Sequence, residues 1–338
     1  VWTLLLTTLT TSTMVVMLSH HWLLAWLALE LNTLSILPII IKQHHPRATE
    51  AATKYFLTQA TAAALILFSS TMNAWQTGQW NITSSNTTLT MMMITIALML
   101  KLGLAPIHFW YPEALQGSTL MTALLMSTWQ KIAPLALLYL MAPAMPTNML
   151  LTVGITSILV GGLTGLNQTQ TRKIMAFSSI AHMGWLITMI NLNPSLTTLT
   201  FLTYVAMTTS LFISLSMNTT NSIASLSTVW SYSPMLLTTM MLTLMALGGL
   251  PPLTGFMPKW LILKELAETN LFALSTAMAM ASLPSLFFYI RMAYTTALTL
   301  TPAPTNIKHN WRFKTKYSLN HATMIALTML LLPMTPLL

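Results

Sequence analysis

Apolar runs long enough to cross a bilayer recur along the whole chain, and no other feature restricts its fold as much. Eleven such runs occupy residues 2–18, 22–41, 51–70, 88–106, 119–141, 149–166, 173–190, 196–217, 236–263, 271–290 and 320–337. A spanning helix needs about 20 mostly apolar residues. Only 6% of the residues are charged, against about 25% in a typical soluble domain. Lipid offers no partner to an exposed peptide group, so a chain patterned this way must satisfy its backbone within helices. The runs predict an all-α, polytopic membrane protein of about 11 transmembrane helices, with little left over for a soluble domain.

Breakers separate the runs: His44-His45-Pro46, Gly78-Gln79-Trp80-Asn81, Pro143 with Pro146, and Asn191 with Asn193 and Pro194. Basic residues test the count through the positive-inside rule. With the connections numbered one to ten, the even ones hold Lys42 and Arg47, then Arg172 and Lys173, then Arg291, Lys308, Arg312, Lys314 and Lys316. Lys54 lies at the same surface. The odd connections hold only Lys264, beside Glu265 and Glu268. A miscount would mix the two sides, and none is mixed. The N-terminus is therefore expected on the positive, inner face and the C-terminus on the opposite face. The first residue is Val1, which leaves room for a few residues ahead of it. The first run has neither a basic n-region nor a small-residue cleavage site, so it reads as a span rather than a signal peptide.

Two runs contain strong helix breakers. The fourth reads Lys101-Leu102-Gly103-Leu104-Ala105-Pro106, and the ninth reads Gly248-Gly249-Leu250-Pro251-Pro252-Leu253-Thr254-Gly255. Pro removes a backbone donor, and Gly admits conformations that end a helix. The candidate break residues are Gly103 and Pro106 in one run and Gly249, Pro251, Pro252 and Gly255 in the other. They lie five spans apart, an odd period that reverses direction in the membrane. This is the layout of an inverted repeat, in which paired broken helices mark an ion or substrate site. The expected organisation is a single membrane domain over 1–338. It comprises a first five-helix repeat at 1–145, a second at 146–295, and a basic loop with a final helix at 296–338. Pro and Gly are also common in membrane helices generally.

Four charged residues lie well inside apolar runs: Glu30, Lys101, Lys131 and Lys259. A charge at mid-membrane costs about 2.5–3.5 kcal/mol on the lenient insertion scale. Such groups face a polar interior, pair with one another, or spend time neutral, and each option suits a proton relay. A buried pair that only fixes helix register is the structural alternative. His182, inside the seventh run, fits either a water chain or a hydrogen-bonded packing role. His108 lies among aromatics and reads as an interface anchor. His20-His21 and His44-His45 read as loop pairs, too few ligands for a metal.

Composition closes off several classes. The net charge is +9, but the basic residues follow the loops and form no aromatic-interleaved patch, so no nucleic-acid partner is expected. There is no Asp, and five Glu are the only acids. Cys is absent, which excludes disulfides, thiolate zinc and cysteine-ligated iron–sulfur clusters. No catalytic constellation and no metal site is predicted. The 28 Met residues are read as pliable apolar packing.

Several long segments resemble a known family. They are Leu29-Glu30-Leu31-Asn32, the Pro46-to-Ala60 stretch, Lys101 to Glu113, Trp129-Gln130-Lys131, Gly165 to Gln170, His182-Met183-Gly184-Trp185 and Gly248 to Trp260. Together, in this order, the chain resembles the antiporter-like membrane-arm subunits of respiratory complex I, the NADH–ubiquinone oxidoreductase. The resemblance implies a fourteen-helix pattern lacking its first three helices, which agrees with eleven spans. It matches the family's membrane glutamate to Glu30, its broken-helix lysine to Lys101, its central lysine to Lys131 and its second broken-helix lysine to Lys259. It implies an inner mitochondrial membrane location, with the N-terminus on the matrix side and the C-terminus on the intermembrane-space side. It also implies neighbouring antiporter-like and small membrane-arm subunits as partners, along with membrane lipids. No cofactor is implied in this chain; NADH, FMN, iron–sulfur clusters and ubiquinone would belong to partner subunits.

The expected function is proton translocation coupled to NADH-to-ubiquinone electron transfer in those partners. Lys101 would exchange protons with Lys131 while Lys259 loads or releases. A free-standing cation/proton antiporter, or a subunit of one, is the alternative, and a purely structural spacer a third reading.

Overall fold

In the computed structural model, residues 2–42, 44–84, 88–231, 233–298, 322–323, 325–326 and 328 are described, and among them there is helix but no strand. The basic segment 299–316, with Lys308, Arg312, Lys314 and Lys316, lies outside the described residues, as does most of the eleventh run. By contacts the chain forms two compact units, Val1–Ser157 with Ile187–Pro194, and Ile158–Leu186 with Ser195–Leu338.

The first unit begins with α1 (Trp2–Leu18), α2 (Trp22–Ile41) and α3 (Pro46–Thr77). Then come α4 (Thr88–Leu102), α5 (Trp110–Gly117), α6 (Leu120–Ser127) and α7 (Ile132–Met141). Helix α2 packs on α1 and α3, α3 also on α4 and α5, and α7 on α1 and α4. The caps follow local chemistry. The His21 and His45 rings accept the amides of Leu23 and Arg47 at the starts of α2 and α3. These members of the two histidine pairs are helix caps. Pro46 opens α3, where its missing N–H costs nothing.

Helix α8 (Thr147–Gly165) runs from the first unit into the second. The remaining elements are α9 (Thr171–Met189), α10 (Pro194–Met217), α11 (Ile223–Ser227), α12 (Pro234–Gly248), α13 (Phe256–Glu268), α14 (Phe272–Ala281) and α15 (Leu283–Leu298). Helix α15 packs against α11, α12 and α14, and α13 packs on α14. The Arg291 guanidinium of α15 donates to the carbonyls of Leu166 and Gln168, 2.5 and 2.6 Å away, and so ties down the loop between α8 and α9.

Polarity is arranged inside out. On α2, Leu27, Leu31 and Leu34 are more than half exposed, while Asn32, Thr33 and Ser35 are buried. Side chains three and four apart share a helix face, so α2 turns an apolar stripe outward and a polar one inward, as lipid requires. Most of the Ser and Thr hydroxyls bond back within their own helices. Thr33 donates to Glu30 O at 2.8 Å, Ser35 to Asn32 O at 2.8 Å and Thr95 to Met92 O at 2.8 Å. A hydroxyl bonded back to its own turn exposes no unmet donor to lipid.

Six helical stretches among the described residues are long and apolar enough to span: Trp22–Ile41, Pro46–Thr77, Leu120–Ala144, Thr147–Gly165, Pro194–Met217 and Phe272–Leu298. The fourth and ninth runs are each split into two half-helices, α4 with α5 and α12 with α13. Two differences from expectation bear on the lysines. The fourth run does not end at Pro106 but resumes as α5, the short helix Trp110–Gly117. The fifth run is interrupted at its centre by a 3-10 turn, Trp129–Lys131, because Pro134 has no N–H to offer the Gln130 carbonyl one turn earlier.

Candidate functional site

Half-helices α4 and α12 end in the same way. Gly103 and Gly249 take left-handed φ values of +71° and +84°. Gly103 N–H donates to Leu100 O at 3.2 Å and Leu104 N–H to Met99 O at 3.1 Å. In α12, Gly249 N–H donates to Ala246 O at 2.9 Å and Leu250 N–H to Met245 O at 3.4 Å. Both are Schellman closures, which need a residue free of the Cβ penalty at the left-handed position. Pro106 follows the first closure, Pro251 and Pro252 the second, and Gly255 precedes α13. Each closure leaves a half-helix ending inside the membrane-spanning stretch. Its last carbonyls carry partial negative charge, which favours a cation there.

Each predicted broken-helix lysine occupies such an end. Lys101 lies in the last turn of α4 and is only 7% exposed. Lys259 starts from α13, beyond the break, and reaches back so that its Nζ donates to Gly248 O at 2.9 Å. A Cβ on Gly249 would lie 2.8 Å from that Nζ. In the first break the Trp110 indole N–H plays a related part, donating to Leu100 O at 3.2 Å. His108 is buried, and its Nδ1 lies 3.1 Å from Pro106 O. It closes the break from within and is not the interface anchor that its aromatic neighbours suggested. In the second break, Thr254 donates to Thr328 O at 2.7 Å.

Lys101 and Lys131 come together in the first unit. Both line one cavity of about 20 Å³, with Asn32, Tyr55, Gln59, Trp110, Tyr111 and Gln130 among its walls. That is enough space for a water molecule. Lys131 is 2% exposed, and its ammonium lies 5.1 Å from the centre of the Tyr111 ring, within cation–π range. The side chain beside it, Gln130, exchanges two hydrogen bonds with Asn32, at 3.0 and 3.2 Å. Lys101 Nζ is buried with no hydrogen-bond partner. Glu30 is half-buried and accepts from Thr33 Oγ1 at 3.1 Å. It forms no ion pair among the described residues, so the register-fixing pair is not what the fold builds.

The second unit has its own cavity. Lys259, His182, Tyr204, Thr200 and Thr203 line it together with Gly255 and Pro258. The His182 and Tyr204 rings lie 5.6 Å apart. His182 thus keeps company with a lysine, which the sequence alone left open. Among the described residues no group of three or more His, Cys, Asp or Glu could hold a metal.

Sequence reasoning missed the neutral polar frame: Asn32, Gln59, Gln130, Tyr55 and Tyr111. Asn32 and Gln130 lie within apolar runs close to Glu30 and Lys131, and that was the available signal; Gln59 and Tyr111 offered none of that kind. It also missed that Lys54 is shared by two carboxylates, Glu50 at 2.5 Å and Glu113 at 2.6 Å.

The fold and the two lysine cavities define an antiporter-like membrane subunit, and comparison with known proteins gives the same class. The family model "NADH:quinone oxidoreductase/Mrp antiporter, TM" matches residues 19–284, and "NADH dehydrogenase subunit 2 C-terminus" matches 286–338. NADH-ubiquinone oxidoreductase chain 2 of Carassius auratus is 54% identical over 98% of this chain and 96% of its own length. The Gallus gallus protein of the same name is 53% identical over 94% and 92%. A chain in the structure of respiratory complex I from Thermus thermophilus with bound aureothin superposes with a TM-score of 0.85 at 26% identity, covering 99% of this chain and 79% of that one. A chain of an archaeal membrane-bound sulfane sulfur reductase shares the fold, with a TM-score of 0.85 at 17% identity over 98% and 73%. The chain belongs to the NADH-ubiquinone oxidoreductase chain 2 family.

Proposed function

We propose that this chain carries protons across the inner mitochondrial membrane as a core membrane-arm subunit of NADH:ubiquinone oxidoreductase. The observation that carries the reading is the first cavity, where Lys101 and Lys131, both almost wholly buried, face one polar space beside a helix break. Two cations in one enclosed space repel each other, so loading one favours releasing the other. Glu30 supplies a negative charge that a change in a neighbouring subunit can strengthen or weaken. Lys259 and His182 form the proton-holding pair of the second unit.

NADH, FMN, iron–sulfur clusters and ubiquinone belong to partner subunits in this reading, and neighbouring antiporter-like and small membrane-arm subunits flank the chain. The N-terminus faces the matrix and the C-terminus the intermembrane space. Supporting that orientation is the confinement of Lys42, Arg47, Arg172, Lys173 and Arg291 to even connections. The matching closures of α4 and α12 support inverted repeats over 1–145 and 146–295, followed by a basic loop and a last helix at 296–338.

The test is proton pumping with NADH–ubiquinone turnover in reconstituted complex carrying Lys131→Met, normalised to assembled complex. Pumping is expected to fall with assembly intact. Full proton stoichiometry in both Lys131→Met and Lys101→Met would overturn the reading.

A further inference from the structure

Gln59 lies on α3, an element that holds none of the membrane charges. It is 4% exposed, and its Nε2 is buried without a hydrogen-bond partner. The same is true of Lys101 Nζ, and both side chains line the first cavity. The Gln59 amide N–H and a protonated Lys101 ammonium are both donors and cannot satisfy one another. A water oxygen can satisfy both, since it accepts through two lone pairs, and the cavity is large enough to hold one. A water that accepts twice has both of its own hydrogens free to donate. Acceptors in the same cavity include the amide oxygens of Asn32 and Gln130, each with a spare lone pair beyond their mutual bonds, the hydroxyls of Thr33, Tyr55 and Tyr111, and the Lys131 nitrogen when neutral.

We propose that Gln59 is a positioning residue for proton exchange, holding a water between its side-chain amide and Lys101 so that the water's hydrogens point toward Lys131. The inference rests on the proton-carrying reading of Lys101 and Lys131. The step balances. One N–H bond breaks at Lys101 as its proton passes to the water oxygen. One O–H bond of that water breaks as its proton passes to the neutral Lys131 amine. The water is regenerated and the positive charge has moved from one lysine to the other. Gln59 neither gains nor loses a proton. Its role is to occupy one lone pair and so orient the molecule.

The experiment compares Gln59→Leu and Gln59→Asn with Lys131→Met in reconstituted complex, reading protons moved per NADH oxidised and normalising to assembled complex. Gln59→Leu keeps the side-chain volume and removes the donor, and is expected to lose as much pumping as Lys131→Met. Gln59→Asn keeps an amide and is expected to restore it, which a packing role would not predict because Asn fills less space than Leu. The unmodified complex, imaged at a resolution that shows ordered water, is expected to hold one within hydrogen-bond distance of both Gln59 and Lys101. Normal pumping in Gln59→Leu, equal loss in both Gln59 variants, or direct contact of Gln59 with Lys101 would overturn the proposal. Normal pumping in Gln59→Leu alongside loss in Lys131→Met would remove only the role of Gln59. Normal pumping in Lys131→Met and Lys101→Met would remove the reading beneath it.

Discussion

Asn32 and Gln130 donate to each other, at 3.0 and 3.2 Å, and so fasten the helix that holds Glu30 to the turn that holds Lys131. A reciprocal amide pair fixes distance and orientation at once, because both amides lose a bond if either rotates. Replacing one partner leaves the other polar and unmet, at a cost of about 1 kcal/mol for the half-buried Gln130 and up to about 3 kcal/mol for the buried Asn32. Asn32→Leu and Gln130→Leu are each expected to lower the inactivation temperature of the assembled complex. The double variant should lose less than the sum. Strict additivity in that double-mutant cycle would show that the two amides do not act as a pair.

Gly249 supports a sharper comparison. Alanine at its left-handed φ costs about 1–2 kcal/mol, and the added Cβ would press on the Lys259 ammonium 2.8 Å away. Gly78 has φ +71° with nothing within 4 Å of an added Cβ. Gly78→Ala should therefore show the backbone cost alone, with normal pumping, and Gly249→Ala should lose both stability and pumping. Equal behaviour of the two in stability and pumping assays would mean that the Lys259 contact with Gly248 O has no part in function.

Arg291 holds two carbonyls of one loop, Leu166 O and Gln168 O. Hydrogen bonds from a charged donor contribute about 1.5–3 kcal/mol each. Arg291→Met should loosen the α8–α9 loop and raise its amide hydrogen exchange. Lysine offers a single point charge in place of the planar fork, so Arg291→Lys should restore only part of the protection. Wild-type exchange in Arg291→Met would refute the clamp.

The Lys54 cluster is expected to matter little. Lys54, Glu50 and Glu113 are 41%, 59% and 49% exposed, and exposed pairs contribute about 0–1 kcal/mol. Glu113→Gln should shift the inactivation temperature slightly at low salt, and the shift should vanish near 1 M salt, where the screening length is about 3 Å. A large, salt-insensitive loss would mean that the cluster is buried against a partner subunit.

Much of this arrangement was legible in the sequence. Run length marked the helical stretches long and apolar enough to span, because lipid imposes that length. Gly103 with Pro106, and Gly249 with Pro251 and Pro252, marked the two breaks, because few residues permit a left-handed closure. The interruption at Lys131 was not read, since a single proline at 134 ends a helix only when the surrounding packing lets it. The pairing of Asn32 with Gln130 lay beyond reach for another reason. A partner 98 positions away along the chain leaves no periodic trace, and a neutral amide carries no charge to stand out. Likewise His108 sits in an aromatic cluster whose composition does not tell an interface from a folded break.

Two populations of polar side chain result, with different freedom to drift. Ser12, Ser35 and the other hydroxyls that bond back only into their own turn answer to no neighbour. Alanine there removes donor and bond together, and the chain can exchange such positions without consulting the rest of the molecule. Asn32, Gln130, Trp110, Lys259 and Arg291 hold bonds that leave their own helix, and each change strands a group elsewhere. A saturation library of this chain should therefore show broad tolerance at the first set and sharp intolerance at the second, although both look alike as isolated polar letters in an apolar text.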